Sequence, residues 1–395
     1  MQVLKQIYPE PPSENRFSEV TTLLQQAVEE GVAPGIVTLV AREKSVLYLN
    51  SVGSRSKSEG AKGESPSAMS VETVFDIASL TASVVTATVM MKLIEAGKVR
   101  LEDKAVRFIQ GFGVFGKSQI TIEQLLHHTS GLAAWAPYYE ELLRANSGER
   151  LGVMTSKGAR EYILNSIIRS HLKYETGTKQ VYSDLGLILL GHLIETFTGA
   201  ALDKVAYKLI IQPLGLKSTS YVDLSMIKRR GIHPVTDIIA PTEDCPWRKR
   251  VLCGEVHDDN AWAMGGIAGH SGLFSTAKDL HVFASEMLSS YRGHSDFLRR
   301  DTIRRFWDVS GISGQEGWRL GWDAPSSENG MAESGLSRRA VGMNGFTGCS
   351  LWIEPEQGIQ IIVMSNRVNP TRSNKKMLTF RPRLHAAILQ ALSAL

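Results

Sequence analysis

The N-terminal part of the chain alternates between a helical and a strand-like pattern of apolar positions. Residues 16–31 carry apolar side chains at helical spacing, and APG at 33–35 then breaks the pattern. Two β-rich runs follow, IVTLVA (36–41) and VLYLNSVG (46–53), and the REKS sequence between them predicts a hairpin. The polar stretch 54–70 has the composition of a flexible surface loop.

The rest of the chain is mostly helical in pattern until close to its end. From about residue 76 to about residue 279, helical spacing of apolar residues alternates with long irregular connections. The segments VGMNGFTGCSLWIEP (341–355) and GIQIIVMSNRV (358–368) then predict two further strands around a turn at EPEQG. Residues 381–395 predict a final helix.

Strands at both ends of the chain imply one sheet built from both termini. We therefore expect an α/β protein with an antiparallel sheet flanked by helices. Residues 1–75 and 280–395 would form an α/β body, and residues 76–279 would form a mostly helical lobe inserted into it. A cleft between body and lobe is the usual location of a small-molecule site, so candidate functional residues are expected on loops at that cleft.

Composition and charge narrow the classes of partner. The 395 residues, 43% of them hydrophobic, can bury a sizeable core. The net charge is only +4, and the basic clusters KRR (228–230), WRKR (247–250) and RRDTIRRF (299–306) are short and scattered. Nucleic-acid-binding proteins concentrate positive charge. We therefore expect no nucleic acid partner and interpret these clusters as solvated surface.

The lack of a recognisable secretory or membrane-spanning segment, together with the cysteine usage, favours a cytoplasmic protein. No run approaches the ~18 apolar residues of a membrane span, and the first 17 residues lack the apolar core and cleavage site of a secretory signal. The odd number of cysteines and the absence of metal-type spacing favour reduced thiols. A single cross-link remains open without support from the pattern; the cysteines are Cys245, Cys253 and Cys349.

The segment FDIASLT (75–81) places Ser79 at the start of an apolar helical pattern. A serine in this position is commonly a helix N-cap. The same position also puts backbone N–H groups and the positive end of the helix dipole beside the hydroxyl, which suits an oxyanion. Ser79 is therefore a candidate nucleophile as well as a candidate cap.

Two further segments combine polar groups with apolar elements. Tyr182 precedes Ser183 and Asp184, either of which could cap the helix that follows while Tyr182 packs beneath it. Glycines interrupt the strand pattern VGMNGFTGCSLW (341–352). A glycine inside a strand marks either a bulge or the close approach of a ligand.

In this order along the chain, these segments resemble the serine β-lactamase and penicillin-binding-protein family. The branch they resemble most contains class C β-lactamases, family VIII esterases and D-alanyl-D-alanine carboxypeptidases. ITIEQLLHHTSGL (120–132), PLGLKSTSY (213–221) and GHSGLFSTAKDL (269–280) are similar to connecting segments of that family, so the resemblance covers nearly the whole chain. It implies a β-lactamase-like fold and a serine hydrolase that needs no cofactor.

The resemblance also implies a role for each motif residue. Ser79 would be the acylated nucleophile of an S-x-x-K motif, and Tyr182 the tyrosine of Y-x-N that shuttles its protons. The backbone N–H groups of Ser79 and Phe346 would form the oxyanion hole. The substrate would be a small ester, amide or peptide-like molecule. It would contact the Y-x-N and K-T-G positions, which are here Asp184, Met343, Asn344 and Gly345.

Two positions depart from the family pattern. Ala82 stands where the S-x-x-K lysine is expected, and Met343 stands where K-T-G has a cation. A tyrosine phenol has a pKa near ~10, so Tyr182 acts as a base only with a neighbouring cation or proton acceptor. Lys92 lies too far along the same helix to help. A positioned general base contributes about 10²–10⁴ in rate, so we expect the activity of this chain to be weak or lost.

The departures leave alternatives open. Ala82 is either a substitution introduced into an active hydrolase or a natural loss. A natural loss would leave either a pseudo-enzyme, which binds its ligand without acyl transfer, or an enzyme with altered chemistry. Met343 favours an uncharged ester or amide as substrate, because the cation that would hold a substrate carboxylate is missing. Arg338, Arg339 or Arg367 could supply a replacement charge.

A metal hydrolase is an alternative from another class. The stretch GEVHDDNAWAMGGIAGH (254–270) contains residue types that bind zinc and other divalent ions, but their spacing matches no familiar ligand pattern. We therefore expect no metal and interpret the stretch as a glycine-rich loop beside the cleft. The four candidate ligands are His257, Asp258, Asp259 and His270.

Overall fold

The chain is built on a five-stranded antiparallel sheet to which both of its ends contribute. The computed structural model describes residues 16–57, 67–145, 154–308 and 317–393. Within them the strands are β1 (Gly35–Arg42), β2 (Ser45–Gly53), β3 (Phe75–Asp76), β4 (Ser220–Tyr221), β5 (Asp244–Cys245), β6 (Arg250–Val251), β7 (Leu273–Ser275), β8 (Val341–Asn344), β9 (Ser350–Glu354) and β10 (Ile359–Ser365). The main sheet has the order β2-β1-β10-β9-β8. The expected antiparallel sheet from both ends of the chain is thereby confirmed.

Helices surround this sheet and fill the middle of the chain. In chain order they are α1 (Ser18–Glu29), α2 (Thr88–Glu95), α3 (Ile122–Leu126), α4 (Tyr138–Ala145), α5 (Lys157–Arg169), α6 (Asp184–Thr198), α7 (Leu202–Ala206), α8 (Gln212–Leu214), α9 (Leu224–Arg230), α10 (Asp259–Ala263), α11 (Ala277–Arg292), α12 (Arg300–Trp307) and α13 (Met377–Ser393). Two π-helical segments, Ala82–Ala87 and Tyr207–Ile211, lead into α2 and α8, and short 3₁₀ turns occupy Ala105–Arg107 and Lys117–Gln119.

Both faces of the main sheet are covered, which explains why β1 and β10 are apolar throughout. Successive side chains of a strand point to opposite faces. Ile36 and Val40 of β1 therefore join the core beneath α1 and α13. Val37 and Leu39 join the larger core, which includes α11 and the helix that begins near Ser79. The larger core thus connects the sheet directly to the candidate site.

Two elements near the C-terminus differ from the sequence prediction. The segment 341–355 is not one strand but two, because GFTG (345–348) forms a tight turn in which Gly348 adopts a φ of +110°. The last helix begins at Met377 rather than at residue 381 and carries Pro382 inside it. The helix therefore begins four residues earlier than predicted and continues through Pro382, although proline is unfavourable inside a helix.

The predicted helical lobe contains a small sheet of its own. Strands β3, β7 and β4 pair in that order, with Phe75 opposite Ser275 and Asp76 opposite Phe274. This pairing joins the segment before Ser79 to the segment after His270. The predicted boundary at residue 280 falls inside α11, which packs on β1 and β10, so the division into body and lobe stays a prediction.

Three smaller predictions can be compared with the described residues. Most of the polar stretch 54–70 lies outside them, but its ends pair with each other, since Ser54 and Ala68 form an antiparallel bridge. All three cysteines are free thiols. No single described helix is long and apolar enough to cross a membrane, whereas α6 and the Leu202–Leu214 segment, bent by 74°, pass such a test together by length and composition alone.

Candidate active site

A strand and a strained turn hold Ser79 at the start of its helix. Asp76, at the end of β3, is fully buried and accepts hydrogen bonds from the backbone N–H of Ala78 at 2.9 Å and of His257 at 2.7 Å. Ala78 adopts a left-handed φ of +48°, which is costly for a residue other than glycine. The two carboxylate hydrogen bonds stabilise this turn, so Asp76 positions Ser79 without contacting substrate itself.

The helix that follows is tied to its surroundings by hydroxyl groups rather than by charges. Thr81 Oγ1 accepts from the N–H of Leu273 at 3.2 Å, and Thr86 Oγ1 donates to the carbonyl of Gly269 at 2.7 Å. Ala82 is fully buried at the first position of a π-helical segment. Such wide turns are frequent at functional sites. Lys92 contacts Phe297 instead of the site, with its Nζ 2.7 Å from the Phe297 carbonyl.

Two aromatic groups and a helix cap position Tyr182. Its ring packs against those of His128 and Trp318, at centroid distances of 4.8 and 4.9 Å. His128 Nδ1 accepts from the N–H of Ser183 at 3.2 Å, and burial lowers the pKa of His128 to about 3, so that ring is neutral. Ser183, one of the two predicted caps, accepts from the N–H of Gly186 and begins α6.

The Tyr182 side chain lines one cavity together with Ser79 and Asp184. It makes no hydrogen bond of regular geometry with a described residue, but both side chains are close enough to shift its pKa. Burial, followed by the Asp184 charge, raises the pKa of Tyr182 well above its ordinary value of 10. Tyr182 is therefore a neutral phenol at physiological pH and does not itself act as the base.

Asp184 belongs to a cluster with Asp258 and His270, in which the histidine is buried and the two carboxyl groups are half-buried. The ring of His270 is 2.9 Å from Asp258 Oδ1 through its Nε2. Burial by itself would lower the pKa of His270, but the Asp258 and Asp184 charges outweigh it and raise that pKa above 6.5. Burial opposes ionisation of Asp258, yet His270 lowers its pKa to about 2. Burial raises the pKa of Asp184 to about 6.

The four residues considered as metal ligands in the alternative hypothesis do not all lie together. His257 and Asp259 have other partners: a hydrogen bond joins His257 Nε2 to Glu243 Oε2 at 3.2 Å, and Asp259 Oδ2 lies 2.9 Å from Arg372 Nη1 in an ion pair. Asp258, His270 and Asp184 do offer ligand atoms within 4.8 Å of one another. Because His270 already donates to Asp258, we interpret this group as a hydrogen-bonded ion-pair cluster.

The strand β8 forms the wall opposite Ser79. Met343 is buried, and Asn344 accepts a hydrogen bond from Trp352 Nε1 at 3.0 Å through its side-chain oxygen. At Gly345 a Cβ atom would lie 2.7 Å from the Ile77 carbonyl. This glycine therefore allows β8 to approach the backbone just before Ser79, which explains at least one of the glycines noted in this strand.

Two cavities meet at Ser79 and Tyr182. One, of about 510 Å³, we call the basic cavity because its lining includes Arg367, Arg372, Lys375 and Arg381. The other, of about 410 Å³, we call the acidic cavity because its lining includes Asp184, Asp258, Asp259, His257 and His270. Four residues line both cavities: Ser79, Tyr182, Phe346 and Arg372.

The basic cavity contains cations that sequence reasoning missed. Of the three arginines considered as substitutes for the K-T-G cation, only Arg367 lines it, and the side chain of Arg339 pairs with Glu356. Arg381 is fully buried and donates to the Gly348 carbonyl at 3.0 Å, while its Nε has no hydrogen-bond partner among the described residues. Burial raises the pKa of Asp323 in the same lining to about 8, so this acid does not cancel the cations at pH 7.

Some of the missed residues could have been found and others could not. Asp76 lies three positions before Ser79, where a polar side chain directly after an apolar strand residue is a signal. Arg381 is 302 positions away from Ser79 and belongs to a helix that also carries Arg383, two residues further on. Only the packing of α13 against the sheet reveals that this arginine points inward.

The chain is similar over most of its length to known proteins. A family model described as "Beta-lactamase" matches residues 20–385. A putative D-alanyl-D-alanine carboxypeptidase of Escherichia coli K12 is 29% identical over 388 residues, covering 92% of this chain and 86% of that protein. An N-acetylmuramyl-L-alanine amidase of Bacillus subtilis 168 is 30% identical over 376 residues, covering 90% and 82%.

Solved structures show the same fold at lower identity. EstCE1, described as a hydrolase with promiscuous acyltransferase activity, superposes with a TM-score of 0.68 at 21% identity, covering 94% of this chain and 98% of that one. The octameric penicillin-binding protein homologue of Pyrococcus abyssi gives 0.68 at 22% identity, covering 95% and 77%. With a family model that spans nearly the whole sequence, the chain belongs to the beta-lactamase family, whose members related to it here are serine hydrolases of the penicillin-binding-protein and esterase type.

Proposed function

We propose that this protein is a serine hydrolase that forms an acyl-enzyme on Ser79. The hydroxyl of Ser79 attacks an ester or amide carbonyl, and the backbone N–H groups of Ser79 and Phe346 stabilise the oxyanion. Tyr182 moves the proton between Ser79 and the leaving group. Water then hydrolyses the acyl-enzyme by the same route in reverse.

The observation that carries this proposal is the meeting of two cavities at Ser79 and Tyr182. Acyl transfer needs space on both sides of the nucleophile, one for the acyl part and one for the leaving group or water. A simple binding protein needs only one. The two residues expected from the family motifs are shared by both cavities, which supports a role for them at the scissile bond.

The basic cavity supports a peptide-like substrate with an anionic group. Arg381 lies there without an ion pair to a described residue, and Arg367 lies over the Phe346 ring with its guanidinium carbon 4.6 Å from the centroid. Arginine is suited to carboxylate recognition. The relatives named as a putative D-alanyl-D-alanine carboxypeptidase and an N-acetylmuramyl-L-alanine amidase are, by name, enzymes that cleave peptide or amide bonds. We therefore revise the preference for an uncharged substrate that Met343 suggested.

The absence of a lysine at position 82 is expected to lower the rate of hydrolysis. Ala82 is fully buried and brings no cation to Tyr182, whose pKa is raised by burial. We propose that hydrolysis by this chain is slow, by about 10²–10⁴ relative to the same site with lysine. The second candidate function is ligand binding without acyl transfer, which the same buried Ala82 favours.

Hydrolysis of p-nitrophenyl acetate and butyrate tests the proposal. The proteins to compare are this chain, Ala82→Lys, and Ala82→Lys with Ser79→Ala. A gain of 10²–10⁴ in kcat/KM on Ala82→Lys, abolished by Ser79→Ala, is the expected result. If no variant shows turnover that depends on Ser79 while a ligand still binds reversibly, the protein is the binding protein of the second candidate.

A further inference from the structure

We propose that Asp184 is the proton acceptor for Tyr182 in this chain and so performs, less effectively, the task that a lysine at position 82 would otherwise have, which gives the slow residual reaction. This inference rests on the proposed acyl transfer at Ser79. It names a catalytic residue where the motif resemblance implied only a substrate contact. Its basis is the geometry of the acidic cavity, into which Ser79, Tyr182 and Asp184 all project.

The first observation is the position of the Tyr182 hydroxyl. It is buried and has no hydrogen-bond partner of regular geometry among the described residues, although a buried hydroxyl is normally hydrogen-bonded. Ser79 and Asp184 line the same cavity as Tyr182, and both interact with its hydroxyl strongly enough to shift its pKa. The proposed proton relay requires a chain of hydrogen bonds from Ser79 through Tyr182 to Asp184.

The second observation is the set of charges that face Asp184. His270 and Asp258 lie beside it, with their ligand atoms and its own within 4.8 Å of one another. Across the cavity stand His257, hydrogen-bonded to Glu243, and the ion pair of Asp259 with Arg372. No lysine lines this cavity among the described residues. Asp184 is therefore the acceptor that remains beside Tyr182.

The protonation states agree with this geometry. Burial and the Asp184 charge raise the pKa of Tyr182 far above 10, so the phenol carries its proton and passes one on rather than holding a negative charge. Burial raises the pKa of Asp184 to about 6, while His270 opposes this shift. A base with a pKa near the working pH is the most effective one. At pH 7 Asp184 is mostly ionised and able to accept a proton.

The steps balance as follows. The Ser79 oxygen forms a bond to the acyl carbon, its proton moves to the Tyr182 oxygen, and the Tyr182 proton moves to the Asp184 carboxylate. Breaking of the bond to the leaving group returns the Asp184 proton through Tyr182 to that group. In hydrolysis, water attacks the acyl carbon, its proton travels to Asp184 by the same route, and Ser79 recovers a proton when the acyl bond breaks.

The test compares four proteins in a labelling experiment with a fluorescent fluorophosphonate, in which Ser79 displaces fluoride from phosphorus. They are the parent chain, Asp184→Asn, Ala82→Lys and the double variant, with Ser79→Ala as the blank. Asparagine keeps the shape of Asp184 but cannot accept the proton. In the parent, we expect the labelling rate to rise with pH to a plateau, with a midpoint near pH 6, and Asp184→Asn to lower the plateau by about 10²–10⁴.

The Ala82→Lys background separates a chemical role of Asp184 from a structural one. With a lysine present, Asp184→Asn is expected to lower the labelling rate at least tenfold less than it does in the parent. An equal loss in both backgrounds would show that Asp184 supports the structure and would overturn the proposal. Thermal melting of each variant checks that the fold is retained.

Other outcomes also contradict the proposal. A parent whose labelling rate is flat between pH 5 and 8 overturns it without any variant. A parent that stays unlabelled while Ala82→Lys is labelled on Ser79 rejects the role of Asp184 and leaves the hydrolase site intact. Labelling that a chelator abolishes and zinc restores would assign the cluster to a metal instead. No Ser79-dependent labelling in any variant would reject the proposed function as well.

Discussion

The basic and acidic cavities share Ser79 and Tyr182, but their charges are of two different kinds. The basic cavity is lined by arginine and lysine side chains, which stay protonated at any pH near neutrality. The acidic cavity is lined by two carboxylates and a histidine whose pKa values have moved in both directions, Asp184 to about 6 and Asp258 to about 2. One cavity can hold an anion, and the other can exchange protons.

The two sets of charges also come from different parts of the chain. The cations of the basic cavity lie between Arg367 and Arg381, on the segment that enters α13 and on that helix. The acids of the other cavity lie at the starts of α6 and α10, where carboxylates are favoured by the helix dipole. The proposed recognition and the proposed proton transfer therefore rest on separate segments, and substitutions should affect them separately.

The largest effect is expected for Asp258→Asn in the acidic cavity, where the change leaves His270 buried without its anion. Breaking a buried ion pair from one side costs about 3–5 kcal/mol of unfolding free energy. His270, with its raised pKa, stabilises the fold below pH 6.5, and this contribution is lost as the pH rises above its folded pKa. Asp258, with its lowered pKa, stabilises it above pH 4, and this is lost as the pH falls toward 2. Urea unfolding at pH 5–6 should show the full loss.

The matched control is Asp223→Asn. Both aspartates cap a short helix, Asp258 by accepting from the N–H of Ala261 and Asp223 by accepting from the N–H of Ser225. Asparagine is as good a cap as aspartate, so the control should lose less than about 1 kcal/mol. Equal losses in the two variants would mean that the ion pair with His270 contributes nothing.

The second-largest effect is expected on substrate binding, for Arg381→Met in the basic cavity. Loss of this cation should raise KM for an anionic acyl donor by about 10–100-fold, since hydrogen bonds to charged groups contribute about 1.5–3 kcal/mol. The p-nitrophenyl monoester of succinate carries the carboxylate, and the butyrate ester has the same length without it. The ratio of their kcat/KM values, measured with Ala82→Lys present for signal, isolates the charge.

Arg383→Met is the control for this comparison, because Arg383 is exposed on the same helix and lines neither cavity. It should leave the ratio of the two esters unchanged. If Arg381→Met also leaves that ratio unchanged, the anionic group does not bind in the basic cavity, and the uncharged substrate suggested by Met343 returns as the better hypothesis.

The two cavities also differ in how far the sequence could predict them. In the strands of the main sheet, apolar residues either alternate with polar ones or form continuous runs. This pattern is clear enough to locate strands near both ends of the chain, and it predicts a sheet to which both ends contribute. The helix after Ser79 and the one after Tyr182 were equally readable, since each begins with a polar residue before an apolar run. The residues shared by the two cavities were therefore accessible from sequence.

The charges that distinguish the two cavities could not be predicted from the sequence. Asp184 resembled a helix cap, and its raised pKa depends on burial and on Asp258 and His270, which lie more than 70 positions away. Arg381 resembled an ordinary surface residue of a terminal helix. The turn that splits 341–355 into two strands was not predicted, because its glycines were interpreted as marking a bulge or the close approach of a ligand to a single strand. In each case the decisive factor was tertiary packing over long sequence distances.

The third prediction concerns the pH dependence of stability. It is tested with Asp323→Asn, which replaces the buried acid in the lining of the basic cavity. Burial raises the pKa of Asp323 to about 8, against about 4 in the unfolded chain. Between these values only the folded state holds the proton, so the parent loses stability as the pH rises, by up to about 1.4 kcal/mol per pH unit. The asparagine variant lacks this slope. Parallel stability curves for parent and variant between pH 5 and 8 would show that Asp323 ionises normally.

The smallest effect is expected for Phe346→Ala, at the wall that both cavities share. The ring is 49% exposed, stacks on His257 at a centroid distance of 5.6 Å and lies beneath Arg367. Exposed contacts of this kind contribute about 0.5–1 kcal/mol, so KM for the succinate ester should rise about two- to fivefold. The backbone N–H stays in place, so kcat should change less than KM.

Phe115→Ala, which removes a ring that is 51% exposed outside both cavities, is the control. A large fall in kcat at constant KM would instead mean that the Phe346 side chain sets the position of the oxyanion N–H, making this wall part of the chemistry rather than of recognition.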